Sequence, residues 1–103
     1  MERGERMETR EYEVAVIIQP DLTDDNLAAQ IELIKGWIEN QNGTVEKIDQ
    51  PGRKRMTYEI KGQRDGYYIY FQTKLPTDAP PALEQNLRIS EPVLRYMIVR
   101  TDS

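Results

Sequence analysis

The side chains of this sequence that are equipped for chemistry are mainly cations and aromatic rings. A basic cluster reads "GRKR" from Gly52 to Arg55, and Lys61 and Arg64 follow it closely. Arginine suits phosphate because its planar guanidinium group engages two phosphate oxygens at once. The cluster therefore indicates either a phosphate-binding surface or, more plainly, a solvated edge strand whose charges discourage aggregation.

The aromatic residues concentrate in one stretch, "DGYYIYFQ" at 65–72, which holds three of the six tyrosines and the only phenylalanine. Side chains of a strand alternate between its two faces, so Tyr68 and Tyr70 share one face and Ile69 and Phe71 share the other. The tyrosine pair allows three interpretations: ordinary sheet packing, RNA base stacking, or a surface for a protein partner. The stretch matches the RNA-recognition-motif consensus only in part, which counts against base stacking.

Catalytic chemistry is restricted because the chain has neither histidine nor cysteine. Ser-His-Asp and Cys-His catalysis in their usual forms are excluded, as are Cys/His zinc sites. Adjacent acids such as Asp24 and Asp25 lack the spacing of a calcium-binding loop and suit the positive end of a helix instead. We predict no enzyme activity, no catalytic residue, no metal, no cofactor and no small-molecule substrate.

The net charge of −4 argues against a general nucleic-acid binder, but it hides an asymmetry. Residues 1–50 carry 5 basic and 12 acidic side chains, whereas residues 51–100 carry 9 basic and 5 acidic ones. Since a phosphate meets the local field and not the average, one cationic surface is compatible with this composition. No apolar run reaches the roughly 18 residues of a membrane span, and "MERGERMETRE" lacks the apolar core of a signal peptide. We expect a soluble protein of the cytosol or of an organelle interior, with no membrane partner.

Periodicity predicts the elements that position these side chains. A first strand from about Arg10 to Gln19 alternates apolar residues, and a helix from about Asp24 to Gln41 follows, with Thr23 or Asp24 as its cap. Asn42-Gly43 ends this helix, with glycine in the left-handed conformation. The apolar positions that carry the two patterns are Tyr12, Val14, Val16 and Ile18 in the strand and Leu27, Ile31, Ile34 and Ile38 in the helix.

The second half of the chain predicts a long strand at 44–62, bent near Pro51-Gly52, a turn at 63–66 and a third strand that runs to about Leu75. A short helix capped by Asp78 and a last strand at 93–100 complete the pattern. The order βαββαβ predicts an α+β, ferredoxin-like fold: a four-stranded antiparallel sheet with two helices on one face. We divide the chain into a flexible extension (1–9), one domain (10–100) and a short tail (101–103).

Four stretches together resemble the bacterial family of small-subunit ribosomal protein six: "REYEVAVIIQPDL", "GRKRMTYEIKG", "DGYYIYFQ" and "VLRYMIVR". The resemblance runs from Arg10 to about Arg100 and is most specific between Gly52 and Lys61. Met56 and Thr57 are mild departures there, and neither removes a charge. Family members begin two or three residues before the first strand's tyrosine, so we hypothesise that Met7 is the natural start.

The resemblance implies a structural protein of the bacterial cytoplasm, in the ribosome. It would pair with the eighteenth small-subunit ribosomal protein, and the pair would bind the central domain of the small-subunit ribosomal RNA. The alternative is a freestanding RNA-binding or regulatory ferredoxin-like domain outside the ribosome. On the leading interpretation the partner faces Tyr68 and Tyr70, and Lys54 and Arg55 meet RNA or the partner. The predicted RNA-binding residues are Arg10, Tyr12, Lys54, Arg55, Arg88 and Arg95.

Overall fold

Four strands and two helices follow one another along the chain in the predicted order βαββαβ. The structure is a computed structural model that describes residues 8–102. The hypothesis that Met7 is the natural start, and most of the proposed 1–9 extension, lie outside the described residues. The elements are β1 (Thr9–Ile18), α1 (Asp24–Asn40), β2 (Thr44–Ile60), β3 (Gln63–Pro76), α2 (Pro80–Ile89) and β4 (Val93–Arg100).

The strands form one antiparallel sheet in the order β2-β3-β1-β4. Val14 lies opposite Phe71 and Val16 opposite Ile69, so the apolar alternations of β1 and β3 share one face. Both helices bury their apolar stripes against that face, and no helix of residues 8–102 covers the opposite face of the sheet, here called the open face. The ferredoxin-like prediction is confirmed. The buried core consists of Val14, Val16, Ile18, Ile31, Ile34, Ile38, Ile69, Phe71, Leu75, Ala79, Leu83, Leu87 and Val93.

The helix ends follow the predictions in part. The Thr23 hydroxyl accepts the N–H of Asn26 at 3.2 Å, which satisfies one free donor of the first turn of α1. At the other end Asn42, not Gly43, is left-handed, with φ of 64°. Glycine is needed at 43 for space, because a Cβ there would lie 2.9 Å from the carbonyl oxygen of Ile38.

Asp78 does not cap α2, contrary to the prediction. The N-cap residue is Ala79, without a side-chain cap, and prolines fill the first positions of the helix. Because Pro80 and Pro81 have no N–H, two of the donors that a cap would satisfy are absent.

The hairpin of β2 and β3 extends past the end of β1, and its projecting residues 52–66 are here called the arm. The predicted bend is confirmed, since the register shifts between Asp49 and Gly52 and Gly52 has φ of 106°. The predicted turn at 63–66 is wrong. The chain turns at Lys61 and Gly62, which both have positive φ, as the right-handed twist of a two-residue hairpin requires.

Gly66 lies where the arm passes close to the end of β1, and there is no room for a side chain. We therefore expect Gly66→Ala to destabilise the fold by about 1–3 kcal/mol. A Cβ at this position would lie 2.6 Å from Ile17 Cγ2 and 2.9 Å from the backbone oxygen of Ile18. Urea unfolding measures the effect as a lower midpoint at unchanged m-value. Gly36→Ala is the control, because its Cβ meets nothing within 4 Å in α1; it is expected to stabilise by about 0.5–1 kcal/mol. Equal midpoints for Gly66→Ala and the parent would contradict the packing argument.

Candidate functional site

The predicted site residues divide between the two faces of the sheet. Arg10 and Tyr12 follow the same alternation as Val14 and therefore lie on the helix side, where Tyr12 packs against the core. Arg88 is also on this side, in the last turn of α2. Arg95 lies opposite Ile17 on the open face, together with Tyr68 and Tyr70 of β3. The structure does not bring Arg95 together with Arg10 and Arg88.

A cationic border runs along the helix side of β1 and β4. We define it as Arg10, Arg88 and Arg100 with the rings of Tyr12 and Tyr96. Tyr12 and Arg100 are direct neighbours in the β1–β4 register, and Arg10 lies two residues before Tyr12. Tyr96, on β4, interacts with Arg88 and raises the pKa of its guanidinium group. Two members, Tyr96 and Arg100, were not among the predicted RNA-binding residues.

Each arginine of the cationic border has one nearby carboxylate. Arg10 contacts Glu8 at 2.9 Å, Arg88 contacts Glu84 at 3.7 Å, and Arg100 contacts Asp102 at 2.8 Å. The hydrogen bond from Arg100 is the main reason why the pKa of Asp102 is lowered, and the backbone N–H of Glu11 adds to it.

All three pairs are at least partly exposed to solvent and therefore weak, so a phosphate can compete for the same guanidinium groups.

The open face contains an apolar depression of about 220 Å³, here called the open-face hollow. The small side chain of Ala15 lies between Tyr70 on one neighbouring strand and Met97 on the other, which creates the space. Ile17 lies likewise between Tyr68 and Arg95. The lining residues are Ala15, Val16, Ile17, Tyr68, Tyr70, Arg95, Tyr96 and Met97.

Two cations border the hollow on the side of the arm. The Lys54 ammonium lies 5.8 Å from the centre of the Tyr68 ring, within the range of a cation–π contact. Arg95 Nη1 donates to the Tyr58 hydroxyl of the arm at 3.2 Å. A second, smaller hollow of about 60 Å³ lies beneath this contact, and Met56 is buried beside it.

The basic cluster of the arm separates into paired and unpaired cations. Arg53 contacts Asp65 at 3.3 Å and Arg64 contacts Glu59 at 3.6 Å. Lys54 and Arg55, the two that were predicted to meet RNA or the partner, form no ion pair within residues 8–102. Because no carboxylate of residues 8–102 pairs with either charge, Arg55 and Lys54, whose ammonium group contacts the Tyr68 ring, can bind another molecule through their charge.

Among residues 8–102 no group of three acidic side chains is placed to hold a metal ion. Within the same range, no helix has the length and apolar character needed to cross a bilayer.

Comparison with known proteins relates this chain to a family of ribosomal proteins. The family model described as "Ribosomal protein S6" matches residues 11–100. Small ribosomal subunit protein bS6 of Carboxydothermus hydrogenoformans is 41% identical over 93 residues, which are 90% of this chain and 97% of that protein. The bS6 protein of Moorella thermoacetica is 40% identical over 90% of this chain and 95% of its own. The crystal structure of 30S ribosomal protein S6 from Thermotoga maritima superposes with a TM-score of 0.86 at 25% identity, covering 91% of this chain and 89% of that one.

Proposed function

This chain belongs to the ribosomal protein S6 family, and from that premise we propose that it binds the central domain of small-subunit ribosomal RNA jointly with the eighteenth small-subunit protein. The chain is a bacterial small-subunit ribosomal protein with a structural role and not an enzyme, and it acts in the cytoplasm as part of the ribosome. This membership removes the support for the freestanding-domain alternative. The observation that carries the proposal is the separation of a cationic border on the helix side from an apolar hollow on the open face.

The RNA side of the proposal rests on the cationic border. Arg10, Arg88 and Arg100 lie along the helix side of β1 and β4 and are at least partly exposed, and guanidinium groups suit paired phosphate oxygens. Tyr12 adds a ring and a hydroxyl group beside Arg10 and Arg100. Such contacts position RNA through its backbone and carry little sequence information.

The partner side of the proposal rests on the open-face hollow. Tyr68 and Tyr70 line it, and tyrosines with apolar neighbours are typical of protein interfaces. Lys54 and Arg95 border the same surface, so their placement favours contact with the partner. RNA contact by Arg95 stays a prediction, as does the choice between RNA and partner for Arg55.

Reconstitution tests the joint binding. We expect the chain alone to bind a central-domain RNA fragment weakly, because its net charge of −4 opposes RNA. Saturation with the eighteenth protein should tighten the binding of this chain to the RNA fragment by roughly 100-fold, which is the scale of a strong coupling between two ligands. Fluorescence anisotropy of the labelled chain measures both affinities, and the partner with RNA alone serves as the control. Equally tight binding by the lone chain would contradict the proposal.

A further inference from the structure

The two edges of the sheet differ in how well they are protected from pairing with another strand. The β2–β3 ladder shifts register at three places, and Pro51 and Lys47 are exposed along that edge. Such features discourage the addition of another strand. On the opposite edge β4 pairs with β1 without interruption from Arg95 to Arg100, and its sequence "VLRYMIVR" contains neither proline nor an acidic residue.

The β4 edge presents free backbone groups in a regular series. The Thr101 N–H donates to the Glu11 carbonyl at 2.8 Å, so the pair Glu11–Thr101 is hydrogen-bonded. Hydrogen-bonded and non-hydrogen-bonded pairs alternate along an antiparallel ladder. The N–H groups of Tyr96, Ile98 and Arg100 therefore point away from β1. Within residues 8–102 no strand occupies this edge.

The side chains of β4 continue the open-face hollow to the edge. Met97 is 49% exposed and Val99 is 44% exposed, and both alternate onto the open face. The alternate positions Tyr96 and Ile98 pack against the core on the other side and hold the strand in place. When a strand is added to an edge, backbone hydrogen bonds supply affinity and alternate side chains supply specificity.

We propose that β4 is a strand-docking edge whose occupant is an extended segment of the protein partner. The segment is apolar at the two alternating positions above Met97 and Val99 and carries a carboxylate against Arg95. Charge complementarity supports the carboxylate, because Arg95 forms no ion pair within residues 8–102 and β4 contains no acid. The proposal rests on the proposed function, since the segment belongs to the partner that covers the open-face hollow. A second copy of this chain fits less well, because it would present the same cationic strand.

Amide hydrogen exchange, followed by NMR, tests the docking. In the free chain we expect rapid exchange at Tyr96, Ile98 and Arg100 and slow exchange at Met97 and Val99, whose N–H groups point to β1. Saturation with the eighteenth protein should slow the three outward amides by about 100-fold or more.

Partner binding without this protection would overturn strand docking and leave the proposed function in place, whereas absence of binding would overturn both. Protection in the free chain that rises with its concentration would assign the edge to a second copy. Protection by RNA alone would assign it to RNA. Either of these results would also overturn the proposal.

A pair of variants supplies a second measurement. The double variant Met97→Lys with Val99→Lys places two charges at the docking edge, and we expect partner affinity to fall about 30-fold or more. Leu33→Lys is the matched control, because Leu33 is 45% exposed and lies on α1; its affinity should stay within about twofold of the parent. No difference between the two variants would overturn the assignment.

Discussion

Replacing Tyr70 by glutamate is expected to lower the affinity for the eighteenth small-subunit protein by about 100-fold or more. Tyr70 lies opposite Ala15 in the open-face hollow, so the partner would cover the new carboxylate. A covered carboxylate loses its water, which costs several kcal/mol unless a cation compensates. Asp49 is its neighbour on β2 and adds like-charge repulsion. Isothermal titration calorimetry with the purified partner measures the loss.

Two further variants separate the interface from general effects on the fold. Tyr70→Phe keeps the ring and its packing, so its affinity should stay within a few fold of the parent. Leu33→Glu adds the same charge at an exposed apolar position on α1 and should leave partner binding unchanged. Thermal unfolding by circular dichroism confirms that Tyr70→Glu is folded. Parent-like affinity of folded Tyr70→Glu would remove the open face from the proposed interface.

The fold was predictable because its signals are long and repeated. The alternation of Val14, Val16 and Ile18 and the helical spacing of Ile31, Ile34 and Ile38 each mark one buried face, and all six residues are buried. The wrong predictions concern local features, such as the hairpin turn, whose position depends on one or two residues. Lys61 adopts φ of 51° and begins the hairpin turn, although lysine is not a residue that favours positive φ. "QRDG" has better turn chemistry, yet Asp65 pairs with Arg53 inside the hairpin.

The sequence indicated individual residues of the site, but not which of them lie together on one surface. Arg88 and Arg95 are close in the sequence, and their shared charge led to the prediction that both bind RNA. A helix ends after Arg88, however, and the alternation of β4 turns Arg95 to the open face. Arg100 joins Tyr12 because β1 and β4 pair in a particular register. One sequence gives the alternation within a strand but not the register between distant strands, so this neighbour could not be assigned from the pattern.

The cationic border makes a second prediction of large effect. The triple variant Arg10→Ala, Arg88→Ala and Arg100→Ala is expected to weaken RNA binding by the protein pair at low salt and to flatten its salt dependence. Each phosphate contact contributes about 0.7–0.9 to the slope of log affinity against log salt, so three lost contacts reduce the slope by about 2–3. Affinities for the central-domain RNA, measured at several potassium chloride concentrations, give both slopes.

The matched control separates local contacts from net charge. Lys35→Ala, Arg53→Ala and Arg64→Ala together remove the same number of cations, but these residues lie on α1 and in the arm, outside the cationic border. Because both triple variants change the net charge of −4 equally, a long-range charge effect would lower both slopes alike. A direct contact lowers only the slope of the border variant, since only its arginines would displace counterions from the RNA. Equal slopes in the two variants would therefore contradict RNA contact at the border, while an effect confined to the border variant would support it.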